Sequence, residues 1–257
     1  MKYIGIRGHR GAGKNSISYL LGKTIDYLIA GKSLDEFETH YKEWVSEIMT
    51  NEYMIDIANT DRVYFDSFAG TLRIIIYLLT GIREDEMKND WCKDHVVINL
   101  RDFTRQEYEK IPDTIKLVTR DELFESLSKS APTVMSKDVY MTLREFILYF
   151  GSDVMQRFFG LNVWIKSINA TDEYYGDIYD GYDYRIYTDV KTPSEVTYIL
   201  NNNGYIVQVT RPGKAKGTGY DKLNKDGRVD YTIQVNGDLM SVKDQILHIS
   251  QNIIGEQ

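Results

Sequence analysis

The sequence predicts an α/β fold of three layers, in which a largely parallel central sheet is flanked by helices and interrupted by helical or irregular insertions. Two observations predict it. Strand-like runs alternate with helical periodicity near both ends of the chain, and the first strand-like run, residues 2–7, passes through a glycine-rich turn into an amphipathic helix. That helix extends over about 15–30, with Gly31 placed to stop it. Leu34, Phe37, Tyr41, Trp44, Val45 and Ile48 recur at spacings of three and four and predict a second helix over 33–50. A third runs over 66–80 and closes on Gly81.

Residues 92–140 combine a short β-branched run, Val96-Val97-Ile98, with charged stretches and with Pro112 and Pro132, and are read as an irregular insertion. From Thr142 the helical pattern returns through Leu143, Phe146, Ile147, Phe150 and Val154, and Thr142 with Glu145 forms a capping box. The polar loop 171–183, dense in tyrosine (Tyr174, Tyr175, Tyr179, Tyr182), leads to a strand over 184–189. A helix follows with Pro193 at its first position and Gly204 at its stop, then a strand over 205–210. A strand over 231–235, a turn at Asn236-Gly237 and a helix from Ser241 complete the pattern. The expected organisation is one elaborated domain over 1–257, with insertions at about 31–60 and 92–140 as candidate lid and substrate-binding walls.

Composition narrows the function. With 257 residues, 42% of them hydrophobic, the chain can bury one sizeable core. A formal net charge of -7 argues against a protein that holds polymeric nucleic acid by its phosphates, while a local basic pocket for one nucleotide stays compatible. The single cysteine, Cys92, allows no internal disulfide and no zinc site built from Cys pairs, which points to a reducing cytoplasm. Residues 2–7 carry no apolar leader pattern. The most apolar stretch, 72–82, contains Arg73 and is shorter than the roughly 20 residues that span a bilayer, so no membrane association is expected.

The turn after the first strand reads Gly8-His9-Arg10-Gly11-Ala12-Gly13-Lys14-Asn15-Ser16, a Walker A (P-loop) pattern with one residue between the lysine and the hydroxyl. Its fixed positions coincide by chance on the order of once in 10⁵ to 10⁶ positions. The glycines let backbone N–H groups of Gly8 to Ser16 turn toward a phosphate, the helix N-terminus adds positive potential, Lys14 supplies a point charge to the β- and γ-phosphates, and Arg10 can clamp phosphate. ATP is therefore the expected ligand, Mg²⁺ its expected companion, and Ser16 a candidate metal ligand. A P-loop leaves the acceptor open.

Three further blocks address it: Phe65-Asp66-Ser67-Phe68-Ala69-Gly70-Thr71-Leu72-Arg73; Thr142-Leu143-Arg144-Glu145-Phe146 with Gly151-Ser152-Asp153 and Asn162-Val163-Trp164; and Thr188-Asp189-Val190-Lys191-Thr192-Pro193-Ser194-Glu195 with Gly204 and Arg211-Pro212-Gly213. With the P-loop, in this order and over nearly the whole chain, they resemble the deoxynucleoside monophosphate kinases of phages, and so a P-loop NTPase-like fold. Two positions depart from pattern. Asn15 follows Lys14 where the strict Walker A motif has Ser or Thr, and Lys191 stands where the family carries arginine, keeping the charge but losing the bidentate fork.

The resemblance implies a kinase that transfers the γ-phosphate of ATP to a deoxynucleoside monophosphate. Lys14, Arg73 and Arg144 would stabilise charge in transfer. Arg73, Arg144, Gly151, Arg157, Trp164, Asp189, Lys191 and Glu195 would line the substrate side, with Trp164 offering a flat face to the base, and Asp189 would join Ser16 at the metal. For a phage-encoded enzyme the compartment would be the host cytoplasm. Kinases of this type are often dimers, so a homodimer is an open expectation, although no heptad or long apolar edge points to one. Two alternatives stay open: a kinase for a ribonucleotide or free nucleoside, and a catalytically silent nucleotide-binding protein that kept the fold.

Overall fold

A computed structural model describes residues 1–50, 59–111, 116–119, 121–123, 125, 139–174, 176–213 and 228–255. Tyr175, Pro112, Pro132 and parts of the 31–60 and 92–140 segments lie outside the described residues. The chain divides into two compact units, one formed by Met1–Phe68 with Ile168–Gln257 and the other by Ala69–Ser167. The 31–60 segment falls in the first unit and 92–140 in the second.

The first unit is built on five parallel strands: β1 (Lys2–Gly8), β2 (Val63–Asp66), β6 (Tyr184–Tyr187), β7 (Tyr205–Thr210) and β8 (Tyr231–Gln234), ordered β2-β6-β1-β7-β8. The register sets Ile4 beside Ile186 and Tyr205, and Ile6 beside Val207. One face of the sheet thus presents Ile4, Ile6, Val63, Ile186, Val207, Val209 and Ile233. They pack with Ile17, Leu20, Leu21 and Ile25 of α1 (Lys14–Ile29), with Tyr41 and Trp44 of α2 (Phe37–Thr50), and with the C-terminal helix Lys243–Gly255.

The other face carries the alternate residues. A Cβ on Gly5 would lie 2.7 to 2.9 Å from Ile199, Ile206 and Val190, so the absence of a side chain there lets the helix Pro193–Asn201 sit close to β1. Near-continuous apolar strands covered by helices on both faces are the pattern a parallel sheet requires. No helix of the described residues is long and apolar enough to cross a membrane.

The second unit contains α3 (Gly70–Thr80), α4 (Glu84–Lys88), α5 (Asp90–His95) and a three-stranded antiparallel sheet. The sheet is formed by β3 (Val96–Asn99), β4 (Arg105–Glu107) and β5 (Tyr140–Thr142), in the order β4-β3-β5. The segment expected to be irregular therefore holds a sheet, centred on the Val96-Val97-Ile98 run. Two other expectations are corrected. Residues 63–66 form strand β2, and the helix expected to begin at 66 begins at Gly70.

The helix from Thr142 is α6 (Leu143–Leu148), where the Thr142 hydroxyl accepts from Glu145 N–H, the threonine half of the expected capping box. It continues with π-type winding over Tyr149–Gln156 and a last turn Arg157–Phe159. The wider winding breaks the 3.6-residue period that would place Arg144 and Gly151 two turns apart. Gly151 is buried against α3, where a Cβ would come 2.7 Å from a Leu72 methyl. In chain order α7 is Val163–Tyr174, α8 is Pro193–Asn201 and α9 is Lys243–Gly255.

Candidate functional site

The order β2-β6-β1-β7-β8 reverses the direction of chain progression at β1, because the chain leaves β1 for one edge, returns through β6 and then crosses to β7. Ligands of open α/β sheets bind at the carboxyl ends of the strands at such a point. Three loops of the first unit meet that edge: the one after β1, the Ser67–Phe68 segment after β2, and the one after β6.

The loop after β1 is Gly8–Gly13. A Cβ on Gly8 would lie 2.4 Å from the carbonyl oxygen of Val209 on the neighbouring strand, so backbone approaches backbone there. Gly13 is left-handed (φ 90°) at the N-cap of α1, which no side chain caps. The N–H groups and positive dipole end of α1's first turn are thereby available to an anion. Ser16 is half-buried on that turn, whereas Arg10 and Asn15 are exposed. Ala12 is buried, and its N–H donates to the carbonyl of His9 (3.1 Å).

Lys14 Nζ donates to the carbonyls of Gly8 and His9, at 3.0 Å each. Burial, then the nearby Lys191, lower its pKa to about 8, against the opposing pull of Asp189. Adjacent parallel strands thus bring together the expected phosphate-binding lysine and the expected acid.

The Asp189 carboxylate accepts from Ser67 Oγ at Oδ2 (2.7 Å) and from Phe68 N–H at Oδ1 (2.9 Å), and Oδ2 also lies 4.0 Å from Lys191 Nζ. It is 13% exposed and Lys191 48%. Glu195, expected on the substrate side, has a local structural task. Its Oε2 accepts from the backbone N–H groups of Lys191 (2.5 Å) and Thr192 (2.8 Å), and Thr192 Oγ1 accepts from Glu195 N–H, a reciprocal capping box on α8. The cap fixes the chain between Asp189 and Thr192.

Glu195 is 6% exposed. Burial, then the like charge of Asp189, push its carboxyl up to about 7, opposed by the two N–H donors. A raised folded-state pKa means that the protonated form favours folding. That contribution is complete below the unfolded value near 4.5 and is lost as pH rises through 7. Glu195→Gln keeps the cap without the charge. Wild type should therefore lose on the order of 2–3 kcal/mol relative to this variant between pH 4.5 and pH 7.5. Thermal melts of both proteins across that range test it, and parallel stability curves would refute it.

Arg185, Asp172, Asp66 and Ser67 of this region are not among the expected site residues. Arg185, in the middle of β6, is 1% exposed. Its Nη1 donates to both oxygens of Asp172 on α7 (2.8 Å each), its Nε donates to Asp66 Oδ2 (2.9 Å), and its Nη2 contacts the same oxygen. Tyr179 and Tyr187 pack over the guanidinium, 4.5 and 5.2 Å from its carbon. Although burial opposes its charge, Tyr187, Asp66 and Asp172 hold its pKa above the ordinary arginine value. Asp66 Oδ1 accepts from Ser67 N–H (2.6 Å), which ties the network to Asp189. The sequence signal was a lone cation inside an otherwise apolar and aromatic strand, a pattern that demands buried partners.

The remaining expected residues belong to the second unit. Arg73 donates to Glu84 (3.0 Å), and Arg144 donates to both oxygens of Asp94 (2.6 and 2.9 Å) and to Asp90 (3.3 Å). Arg157 is exposed. Trp164 is buried, 7% exposed, so stacking of a base on its indole would require that the ring be uncovered. Comparison with protein-family models and with curated proteins returns no match for the chain.

Proposed function

We propose that the chain is a P-loop NTPase-like kinase that transfers the γ-phosphate of ATP, with Mg²⁺, to a deoxynucleoside monophosphate. The observation that carries this reading is the placement of Lys14, at the uncapped start of α1, near the Asp189 carboxylate, two residues past the end of the neighbouring strand β6. This edge of the sheet offers what a polyphosphate needs: unpaired helix-end dipoles, a cation whose charge is disfavoured until an anion arrives, and a second cation in Lys191.

The residues fit Mg²⁺ carried with the nucleotide. A carboxylate such as Asp189 is an acceptor with roughly four lone-pair sites, and Ser67 and Phe68 donate to it. Mg²⁺ is typically held by one or two carboxylates together with substrate phosphates. Ser16 and Asp189 would hold it, and when bound it neutralises charge on the phosphate oxygens. Gly8, Gly11, Gly13 and Ser16 contribute backbone donors, and Lys14 holds the transferring phosphoryl group. Arg73, Arg144, Arg157 and Trp164 are assigned to the acceptor on the sequence resemblance.

An ADP-release assay with ATP and Mg²⁺ against dGMP, dTMP, dCMP, dAMP and GMP tests the reading. Turnover on at least one deoxynucleotide is expected. Turnover on GMP alone assigns a ribonucleotide acceptor, and ATP binding with no transfer to any of the five leaves a different acceptor, such as a free nucleoside, or a nucleotide-binding protein without kinase activity.

A further inference from the structure

We infer that Arg185 is a positioning residue for Asp189, acting through a relay that runs Asp172, Arg185, Asp66, Ser67, Asp189. The inference rests on the reading of Asp189 as a ligand of nucleotide-bound Mg²⁺. It adds residues that the resemblance does not assign.

The relay is continuous. Asp172 receives one guanidinium nitrogen through both carboxylate oxygens, at 2.8 Å each, which fixes the plane of Arg185. The fork then presents Nε to Asp66 Oδ2 at 2.9 Å, so Asp66 must turn its other oxygen toward Ser67 N–H, at 2.6 Å. With its backbone pinned, Ser67 delivers its hydroxyl to Asp189 Oδ2 at 2.7 Å, and the next N–H, of Phe68, reaches Oδ1 at 2.9 Å. Each oxygen of Asp189 has thus received a donor from the same two-residue segment. The carbonyl of Asp66 also accepts from Thr188 N–H at 3.1 Å, which ties the ends of β2 and β6 together one residue before Asp189.

A purely structural ion pair would account for Arg185 between its two carboxylates. It would not account for the extension of the network to both oxygens of the acid beside Lys14. Outer-shell partners of metal-binding carboxylates set ligand orientation, and their loss typically weakens metal affinity by about 10- to 100-fold.

The test measures binding of a fluorescent ATP analogue by the full chain, in Mg²⁺ and in EDTA, for wild type, Ser67→Ala, Asp172→Asn, the double variant, and Ser67→Thr. In Ser67→Ala and Asp172→Asn the Mg²⁺-dependent gain in affinity is expected to fall roughly tenfold while affinity in EDTA is unchanged. The double variant should resemble Ser67→Ala alone, because residues acting along one path are not additive. Ser67→Thr, which keeps the hydroxyl, should restore the gain.

Equal losses with and without Mg²⁺, or additive losses in the double variant, would overturn the positioning role, leaving a structural one. A wild type that binds with a Mg²⁺-dependent gain, together with variants that match it, also overturns the relay but leaves the proposed function standing. A wild type that binds no ATP overturns the proposed function and the relay with it. Thermal melts of each variant separate loss of fold from loss of positioning.

Discussion

Lys14→Ala is expected to lower phosphate transfer by on the order of a thousandfold, with no loss of thermal stability at pH 7. The two halves of this expectation come from the same environment. Lys14 Nζ is held 3.0 Å from the carbonyls of Gly8 and His9, and burial and Lys191 lower its pKa to about 8. A base with a depressed folded-state pKa weakens the fold while it remains charged; the penalty is full below about 8 and fades as pH rises from there toward the unfolded value near 10.5. Alanine removes that penalty, so the variant should melt at or above the wild-type temperature at pH 7. Under the proposed function, an arriving polyphosphate would reverse the electrostatics, because its charge would outweigh the Lys191 repulsion and restore the full ammonium where charge is shared in transfer. Steady-state ADP release and thermal melts at pH 7 and pH 9 check both halves. Wild-type rates in Lys14→Ala would remove the lysine from the chemistry, and a sharply lower melting temperature would make it a structural residue.

Elements marked by local chemistry were legible in the sequence. The β1-loop-α1 unit announces itself through glycines and a lysine at fixed short spacing, and α8 through Pro193 at its start. What escaped depends on distant partners. Strands β3, β4 and β5 have three or four residues each, and Val97 pairs with Gln106 on one side and Thr142 on the other, so no local pattern identifies them. β2 is four residues long and merges with the start of α3's apolar pattern, which hid the boundary at Asp66.

The site divides the same way. The residues of the glycine-rich loop and Asp189 are candidates from motif and expected strand end, while the Asp66–Arg185 pair joins residues 119 positions apart. Glu195 is the instructive case, because the sequence contains Thr192-Pro193-Ser194-Glu195, a capping-box pattern, and its carboxylate serves the backbone that positions Asp189 and Lys191. For Gly151 the need for a small residue comes from Leu72 pressing against it across the π-wound segment, which spacing alone does not reveal.

Arg185→Met should destabilise the fold by about 3 kcal/mol, toward the lower end of the cost of orphaning a buried ion pair. The arginine is 1% exposed, but Asp66 and Asp172 retain 19% and 26% exposure, which lets water offset part of the loss. Methionine approximates the volume of the stem and leaves two carboxylates facing each other without a cation. The pH dependence follows. Burial already raises the Asp66 carboxyl above its ordinary value, and removing the guanidinium takes away the largest influence opposing that shift, leaving the Ser67 N–H. Protonation therefore favours the folded variant, so its deficit relative to wild type should narrow as pH falls and widen as pH rises through the raised pKa. Arg185→Met combined with Asp66→Asn should recover part of the loss, because the amide oxygen can still accept from Ser67 N–H without adding charge. Denaturant titrations of wild type and the single and double variants at pH 5 and pH 8 measure these differences. A deficit that is the same at both pH values would place its origin in lost packing against Tyr179 and Tyr187, and not in the exposed charge of the two aspartates.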